Sequence, residues 1–210
     1  MEITLRPEEE NDYRIVESLT REAFWNVHFP GCDEHLLVHH LRNAKAFVRA
    51  LDFVAVCNNK IAGNIVYAES KIIDSDTEYT VLTFGPVSVL PEYQNRGIGG
   101  KLIEHTAKKA KEMGYRAIII YGDIEYYKRF GFVESKKYNI CNKENKFPAA
   151  LLVLELRPHA LDGIKGVFDE GSAYAVNGDE LEAFEKGFVP KEKGFTPSQE
   201  RFNELSKKYL

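Results

Sequence analysis

The chain has 210 residues, a formal net charge of −4 at pH 7, and 44% hydrophobic and 29% charged residues. This length indicates one domain, or one domain with an appendage. The acidic balance argues against nucleic acid as the main partner, because such binding needs many lysine and arginine contacts to phosphates.

The sequence also indicates the cellular compartment of the protein. No apolar run approaches the roughly 20 residues that cross a bilayer, so we expect no membrane partner. The first residues lack a basic stretch followed by an apolar core, so we expect no signal peptide. Cys32, Cys57 and Cys141 are widely spaced and odd in number, which indicates reduced thiols and a cytoplasmic protein.

The first third of the chain predicts one short strand and two helices. Residues 3–6 form an edge-like strand that closes at Pro7. The spacing of apolar residues predicts a helix over 11–25 and a second helix from 32 or 33 to about 42. The first helix would bury Ile15, Val16, Leu19, Ala23 and Phe24, and the second would bury Leu36, Leu37, His40 and Leu41. His35 and His39 would share a partly exposed helix face, with no metal.

The central part predicts a β-rich body around one further helix. Strands are expected at 52–57 and 61–67, with a tight turn at Asn58-Asn59, and a longer strand at 80–90. Residues 99–113 predict a helix that Gly114 ends in a left-handed conformation. The continuous apolar run 117–121 is typical of a parallel strand covered on both faces, so strand, helix and strand make a βαβ unit. Residues 149–156 predict another buried strand.

The last segment, residues 157–210, has a different character, with many glycines. Thr196-Pro197-Ser198-Gln199 resembles a capping box with proline at the first helical position. A short terminal helix should follow, with Phe202, Leu205 and Tyr209 facing the body.

A glycine-rich turn between a strand and a helix is the most informative segment. Glycines at 97, 99 and 100 precede or open the helix, so an anion such as a pyrophosphate can approach the free N–H groups of its first turn. Arg96 and Lys101 can add positive charge. Leu102 excludes both a dinucleotide fingerprint and a Walker loop. The alternative is a glycine-rich turn without a ligand.

The strand before this turn carries Gly85-Pro86 in its middle. Proline cannot donate to a β ladder, so it predicts a bulge that bends this strand away from the strand at 117–121. The backbone groups of Val87, Ser88 and Val89 would then face a cleft. An extended ligand that carries amides could pair with them like an added strand.

At these residues the sequence resembles the GNAT N-acetyltransferase superfamily, whose signature matches Gln94-Asn95-Arg96-Gly97-Ile98-Gly99. In detail it is similar to the YhbS-like branch of bacterial enzymes, through Glu34-x-x-Leu37-Val38-x-x-Leu41-Arg42 and through Gly122-Asp123 before Tyr126-Tyr127-x-Arg129-Phe130-Gly131-Phe132. The resemblance covers residues 1–156 and leaves 157–210 as an extension that we expect to pack on the same domain. It implies an α+β, three-layer fold: a mixed, mostly antiparallel sheet, splayed between two parallel strands, with helices on both faces.

The resemblance further implies acetyl-CoA as co-substrate and direct transfer of its acetyl group to a primary amine of a small molecule or peptide. The residues expected to bind the coenzyme are Val87, Ser88, Val89, Gln94, Asn95, Arg96, Gly97, Ile98, Gly99, Gly100 and Lys101. The alternative function is a non-catalytic acyl-CoA-binding regulatory module, and the protein would be a monomer or a homodimer.

Tyr127 matches the tyrosine that, in many members, hydrogen-bonds the coenzyme sulfur. Full proton transfer from a tyrosine of ordinary pKa to a thiolate runs uphill by about 2 kcal/mol, so the hydroxyl is better described as a donor that stabilises the developing thiolate. Tyr126, on the same turn, is the main competitor. The alternative for Tyr127 is a packing aromatic with a structural hydrogen bond.

The acceptor side is less defined by the sequence. The loop after the first helix commonly forms one wall of the acceptor site in the family, and its Phe24 and Trp25 either contact the acceptor or complete the core. Glu34 is a further candidate for substrate contact. A general base would be one of Glu22, Glu34 and Glu69, which the sequence does not rank.

Overall fold

A computed structural model describes residues 2–210, so Met1, where the predicted transferase region begins, lies outside the described residues. Nine strands and six helices follow one another in these residues. In chain order they are β1 (Ile3–Pro7), α1 (Tyr13–Phe24), α2 (Glu34–Asn43), β2 (Phe53–Cys57), β3 (Lys60–Asp74), β4 (Thr77–Val89), α3 (Ile98–Glu112), β5 (Ala117–Tyr121), α4 (Ile124–Tyr127), β6 (Val133–Glu134), β7 (Ile140–Cys141), β8 (Leu151–Glu155), β9 (Gly166–Asp169), α5 (Gly178–Glu185) and α6 (Pro197–Ser206).

The strands form one mixed sheet in the order β1-β2-β3-β4-β5-β8-β6, while β9 pairs with β3 and with β7. Neighbours run antiparallel except β4 with β5 and β7 with β9. Alternate residues of β2 point to opposite faces: Phe53 packs with the apolar side of α3, and Val54 with α1 and α2. The predicted three-layer α+β architecture is confirmed.

The local patterns around the centre of the chain give the predicted elements. Asn58 and Asn59 both have positive φ, 48° and 62°, as the type I′ turn of a two-residue hairpin requires. Helix α3 buries one face, made of Ile98, Leu102, Ile103, Thr106 and Ala110. Gly114 follows it with φ of 91°, the left-handed conformation expected at that end.

The two N-terminal helices present different faces from those predicted. Ile15 is 52% exposed instead of buried. In α2, Leu37 and His40 are only half-buried, whereas Val38 and His35 are fully buried. The prediction of a partly exposed His35 is therefore wrong. The reason is an unpredicted helix: Phe184 of α5 packs on the His35 ring at 5.4 Å between centroids.

The C-terminal segment contributes to the sheet and to the α1/α2 layer. Strand β9, which the sequence did not predict, pairs Lys71 with Asp169 and Ile73 with Val167. Glu185 at the end of α5 accepts hydrogen bonds from Arg21 at 2.8 and 3.0 Å. Burial alone would raise the pKa of Glu185, but the hydrogen bond and charge of Arg21 outweigh it and hold this pKa below its usual value.

Helix α6 forms where predicted, but its cap and its packing differ. The Thr196 side chain makes no cap bond; it donates to the carbonyl of Asn26. Gln199 also donates to that carbonyl, at 3.0 Å, so the predicted capping box is wrong. Leu205 is half-buried, and Phe202 and Tyr209 remain 41% and 46% exposed. The helix is held by its polar contacts to the α1–α2 loop.

Within residues 2–210, no helix combines the length and the apolar character that crossing a membrane requires.

A buried carboxyl group at the start of β2 should give the stability of the protein an alkaline limit. Burial, followed by a hydrogen bond with Glu8, raises the pKa of Asp52 to about 9. A raised pKa means that the folded state keeps a proton that the unfolded chain has lost above about pH 4. The free energy of unfolding should therefore fall as pH rises from about 4 to 9, by up to about 1.4 kcal/mol per pH unit from this group.

Asp52→Asn mimics the protonated acid, and we expect it to remove this part of the slope. Urea unfolding at pH 5 and pH 8 checks it: the variant should lose less stability between the two than the wild type. Asp162→Asn is the matched control, because the Asp162 side chain is 72% exposed. Equal slopes in wild type and Asp52→Asn would contradict the assignment.

Candidate functional site

A cleft opens in the middle of the sheet, where β4 and β5 separate. The two parallel strands are aligned at one pair, Leu82 with Ile118. The register of β3 with β4 shifts between Ile65 and Tyr67, opposite Gly85-Pro86, which is the predicted bulge. A cavity of about 1010 Å³ fills the opening and extends from the glycine-rich turn to the α1–α2 loop.

The glycine-rich turn closes one end of the cleft with the start of α3. Gly97 precedes the helix with φ of 80°, and the first helical backbone bond runs from Lys101 N–H to Gly97 C=O at 3.0 Å. The N–H groups of Ile98, Gly99 and Gly100 therefore have no partner within the helix. They carry partial positive charge at the mouth of the cleft.

The glycines also serve the packing of the protein on itself. A Cβ at Gly99 would lie 3.2 Å from the Tyr126 hydroxyl, and one at Gly100 would lie 3.3 Å from the Phe130 ring. These distances are shorter than most Cβ contacts, so a larger residue at either position would require Tyr126 or Phe130 to shift slightly. Close backbone approach by a ligand is thus one of two reasons for the glycines.

Most of the predicted coenzyme residues come together in this cleft. Those that line it are Val87, Val89, Gln94, Asn95, Gly97, Ile98, Gly99, Gly100 and Lys101. Arg96 is exposed and lies outside the lining, with its guanidinium carbon 5.8 Å from the Tyr93 ring centroid. Ser88 is fully buried, and its hydroxyl donates to Thr20 of α1 at 3.0 Å.

Strand β4 offers backbone groups to the cleft at alternate positions. The N–H of Leu90 donates to the carbonyl of Ala62 at the start of β3 at 2.9 Å. The backbone N–H and C=O groups of Leu90 and, by alternation, of Ser88 therefore point toward β3. Those of Val87 and Val89 point toward the opening. The Gln94 side chain donates to the Val89 carbonyl at 3.1 Å, which fixes the turn to the strand.

Tyr127 lies in the same cleft, on the short helix α4. Its ring packs against Phe84 and Phe132 with centroids 6.0 and 5.5 Å apart. Gly122 makes room for it, because a Cβ there would lie 2.4 Å from the ring. Burial, with a smaller effect from Tyr126, raises the pKa of Tyr127 well above its usual range. The hydroxyl thus stays protonated and, in residues 2–210, has no hydrogen-bond partner.

Tyr126 points to a different part of the cleft. It is 37% exposed, it touches the start of α3 beside Gly99, and the Arg129 guanidinium carbon lies 4.9 Å from its ring centroid. The two tyrosines are therefore in distinct environments, and Tyr127 is the more buried of the two.

The far end of the cleft is formed by α1, α2 and the loop between them. Phe24, Val27, His28, Glu34 and Leu37 line it, so two of the three predicted acceptor residues are in place. The third, Trp25, lies outside the lining. Its indole N–H donates to the Glu192 carbonyl at 2.7 Å, which attaches the C-terminal segment to α1.

The three candidate bases separate clearly. Glu34 lines the cleft, and one of its oxygens lies 2.7 Å from His28 Nδ1. Glu22 pairs with Lys191 at 2.6 Å, and Glu69 accepts from the Tyr115 hydroxyl at 2.7 Å. Neither Glu22 nor Glu69 lines the cleft.

Two cleft residues come from the C-terminal segment, and sequence reasoning missed both. Glu170 follows β9, and Tyr174 lies beside Gly85. Burial raises the pKa of Glu170 above its usual value, although Lys143 opposes this. No local pattern marks these residues, because the pairing of β9 with β3 alone brings them to the site.

The charged side chains divide the cleft. Lys101 and Arg129 line the end near the start of α3, together with one carboxylate, Glu104 of α3, while Glu34, Asp123 and Glu170 line the remainder. Asp123 is paired with Arg201 of α6 at 3.0 Å. One end thus suits an anion, and the acidic end suits a cation.

Comparison with known proteins identifies relatives of this chain. A family model described as Acetyltransferase (GNAT) domain matches residues 31–134. The uncharacterized N-acetyltransferase YhbS of Escherichia coli is 26% identical over 149 residues, which cover 70% of this chain and 87% of that protein. The uncharacterized N-acetyltransferase YjhQ of the same organism is 30% identical over 83 residues. That match spans 40% of this chain and about half of YjhQ, 46%.

Solved structures give the same answer. The crystal structure of YhbS from Escherichia coli, in complex with CoA, superposes with a TM-score of 0.73 at 22% identity, covering 84% of this chain and 93% of that one. A GNAT family acetyltransferase from Brucella melitensis, in complex with acetyl-CoA, superposes with a TM-score of 0.66 at 30% identity, covering 83% of this chain and 99% of that one. The first comparison shows a shared fold, and the second shows a relative along nearly its full length.

Proposed function

Because the chain belongs to the GNAT family of acetyltransferases, we propose that it moves the acetyl group of acetyl-CoA directly to a primary amine of a small molecule or peptide. The observation that carries this proposal is the cleft itself. It combines a free helix N-terminus, an opened strand edge and a tyrosine hydroxyl without a partner among the described residues in one cavity.

The coenzyme would fit this cleft from the glycine-rich turn inward. Its pyrophosphate would accept hydrogen bonds from the N–H groups of Ile98, Gly99 and Gly100, with Lys101 adding positive charge. The amides of the pantetheine arm would pair with the backbone of Val87 and Val89 as an added strand. That the Brucella melitensis relative forms a complex with acetyl-CoA supports acetyl-CoA as the ligand of this cleft.

In the reaction, the neutral amine attacks the thioester carbonyl, a C–N bond forms, and the C–S bond breaks. The leaving group is a thiolate, and Tyr127 donates a hydrogen bond to it as charge develops. Because its pKa is raised, Tyr127 acts as a hydrogen-bond donor and does not deliver its proton outright. As the amide forms, the nitrogen keeps one of the two protons of the neutral amine and loses the other, which the thiolate takes up, so CoA leaves as the thiol.

The acceptor would enter at the acidic end. An amine of the lysine type is a cation at neutral pH, and Glu34 and Glu170 attract it. We propose that residues 1–156 carry the transfer chemistry and that residues 157–210, which supply Glu170 and Tyr174, complete the acceptor side. Three free cysteines support a reducing, cytoplasmic setting.

Release of CoA thiol tests the function directly. The protein is incubated with acetyl-CoA and a panel of α-amines, diamines, lysine and short peptides, and thiol is measured against time. We expect acceptor-dependent release with at least one cationic amine. Tight coenzyme binding without release for any amine would contradict a transferase and support the alternative, a non-catalytic acyl-CoA-binding module.

A further inference from the structure

A histidine and a glutamate face the acceptor end of the cleft as a hydrogen-bonded pair. His28 lies in the α1–α2 loop and Glu34 begins α2, and both line the cleft. His28 Nδ1 is 2.7 Å from Glu34 Oε1. The other carboxylate oxygen accepts from the Asp33 N–H at 3.2 Å. The Glu34 side chain is thus fixed at both oxygens.

This contact determines where the imidazole carries its proton. A carboxylate can only accept, so Nδ1 of His28 is the donor and Nε2 of the neutral ring keeps a lone pair. No residue among 2–210 hydrogen-bonds Nε2, and the His28 side chain is 32% exposed. His28 thus lines the cleft, and one of its ring nitrogens has a lone pair that no described residue occupies.

The C-terminal helix holds the ring in place. Phe202 of α6 stacks on His28 with centroids 4.4 Å apart and planes 28° from parallel. Phe24 of α1 touches the same ring at 5.6 Å. Helix α6 is fixed at both sides of this contact, by Gln199 on Asn26 and by Arg201 on Asp123. The extension thus positions a side chain of the cleft.

Charged groups surround the pair on every packed element. Asp33 and Glu34 belong to the start of α2, Glu170 lines the cleft from the segment after β9, and Asp123 pairs with Arg201 of α6. The Lys193 side chain would meet a Cβ at Gly31, in the loop that carries His28. Among these groups the four carboxylates outnumber the two cationic side chains, Arg201 and Lys193.

Glu170 is the rival acceptor of a proton. Among residues 2–210 no hydrogen bond or ion pair orients its carboxylate, whereas His28 is oriented by Glu34 in the manner of a base supported by a third group. Histidine is also the side-chain type that changes its charge between pH 5 and 8. The geometry therefore favours His28.

From these contacts, and on the basis of the proposed transferase function, we infer that His28 is the general base of the reaction and that Glu34 is its positioning residue. Nε2 removes one proton from the bound ammonium, which frees the nitrogen lone pair to attack the thioester. The imidazolium is stabilised by Glu34 and afterwards releases the proton to solvent. The amine class that needs this step is the lysine type, with a pKa of about 10.4, because an α-amine, at about 8, is already largely poised to lose its proton.

The test compares pH profiles of kcat/KM for wild type, His28→Gln and Glu34→Gln with one lysine-type amine and one α-amine. The wild type should lose activity toward acid pH, because a base that already carries a proton cannot accept one from the ammonium. His28→Gln should lose this acid limb, whereas Glu34→Gln, which retains the base, should still show one. Both variants should fall about tenfold at neutral pH with the lysine-type amine and fall less with the α-amine. Binding of acetyl-CoA, measured by calorimetry, should not change.

His159→Gln is the matched control, since His159 Nδ1 is paired with Asp162 at 2.9 Å, is 82% exposed and lies outside the cleft. It should behave as wild type. If wild type turns over an amine and His28→Gln keeps the same acid limb, the inference is wrong. Loss of that limb in Glu170→Gln instead would assign the base to Glu170. If wild type turns over no amine at all, the transferase proposal fails and the inference fails with it.

Discussion

Gly97→Glu should weaken the binding of acetyl-CoA by at least about 100-fold, or about 2.7 kcal/mol. The added carboxylate would lie at the helix N-terminus, where the coenzyme pyrophosphate is expected, and like charges repel there. It would also neutralise the partial positive charge of the free N–H groups, which would then attract the pyrophosphate less strongly. Nothing lies within 4 Å of a Cβ at Gly97, so the fold has room for the side chain. Calorimetric titration with acetyl-CoA gives the affinity.

The strain of the substitution can be separated from its charge. Gly97 and Gly114 flank the same helix with φ of 80° and 91°, and neither has a neighbour within 4 Å of its Cβ. At either position, a non-glycine residue in the left-handed conformation should lower the stability of the protein by about 1–2 kcal/mol. Gly114→Glu should therefore lower the unfolding temperature similarly and still bind coenzyme. If Gly97→Glu and Gly114→Glu bind acetyl-CoA with equal affinity, the glycine-rich turn is not part of the coenzyme site.

Tyr127→Phe should lower kcat by about 100- to 1000-fold while leaving coenzyme affinity nearly unchanged. The variant removes a single hydrogen-bond donor, and a donor directed at developing negative charge contributes about this much in a closed site. The ring itself, packed between Phe84 and Phe132, would stay in place. Thiol release at saturating acetyl-CoA and amine measures the change.

The pH dependence gives a second readout for this tyrosine. Since burial raises its pKa above the usual value, Tyr127 should remain protonated to beyond pH 10, and the wild type should show no alkaline loss of kcat from this group. Tyr126→Phe is the matched control on the same turn, and we expect less than a threefold change. If Tyr126→Phe lowers kcat more than Tyr127→Phe does, Tyr126 is the residue that donates to the developing thiolate.

The fold of the central body follows from short stretches of sequence. Asn58-Asn59 sets a hairpin, Gly97 and Gly114 delimit α3, and Pro86 interrupts the ladder of β4. Each of these depends on the φ and ψ range or the missing donor of one or two residues. For that reason the glycine-rich turn, the bulge and the cleft between them could be predicted without coordinates.

The acceptor end could not be predicted in the same way. Its sides meet only when β9 pairs with β3 and α6 packs on the α1–α2 loop. His28 and Phe202 are far apart in the chain, and no periodicity links them. The same long-range packing covers His35 with α5 and leaves Ile15 exposed, against the faces that helical spacing indicates.

The sequence by itself determined the end of the cleft at the glycine-rich turn, where we propose that the coenzyme binds, and the tertiary structure decided how the sides of the other end meet. The physical reason is the range of the interactions. The N–H groups of a helix start and the bend at a proline are properties of neighbouring residues. The Phe202 stack on His28 and the burial of Glu170 depend on contacts between segments that the folded chain brings together.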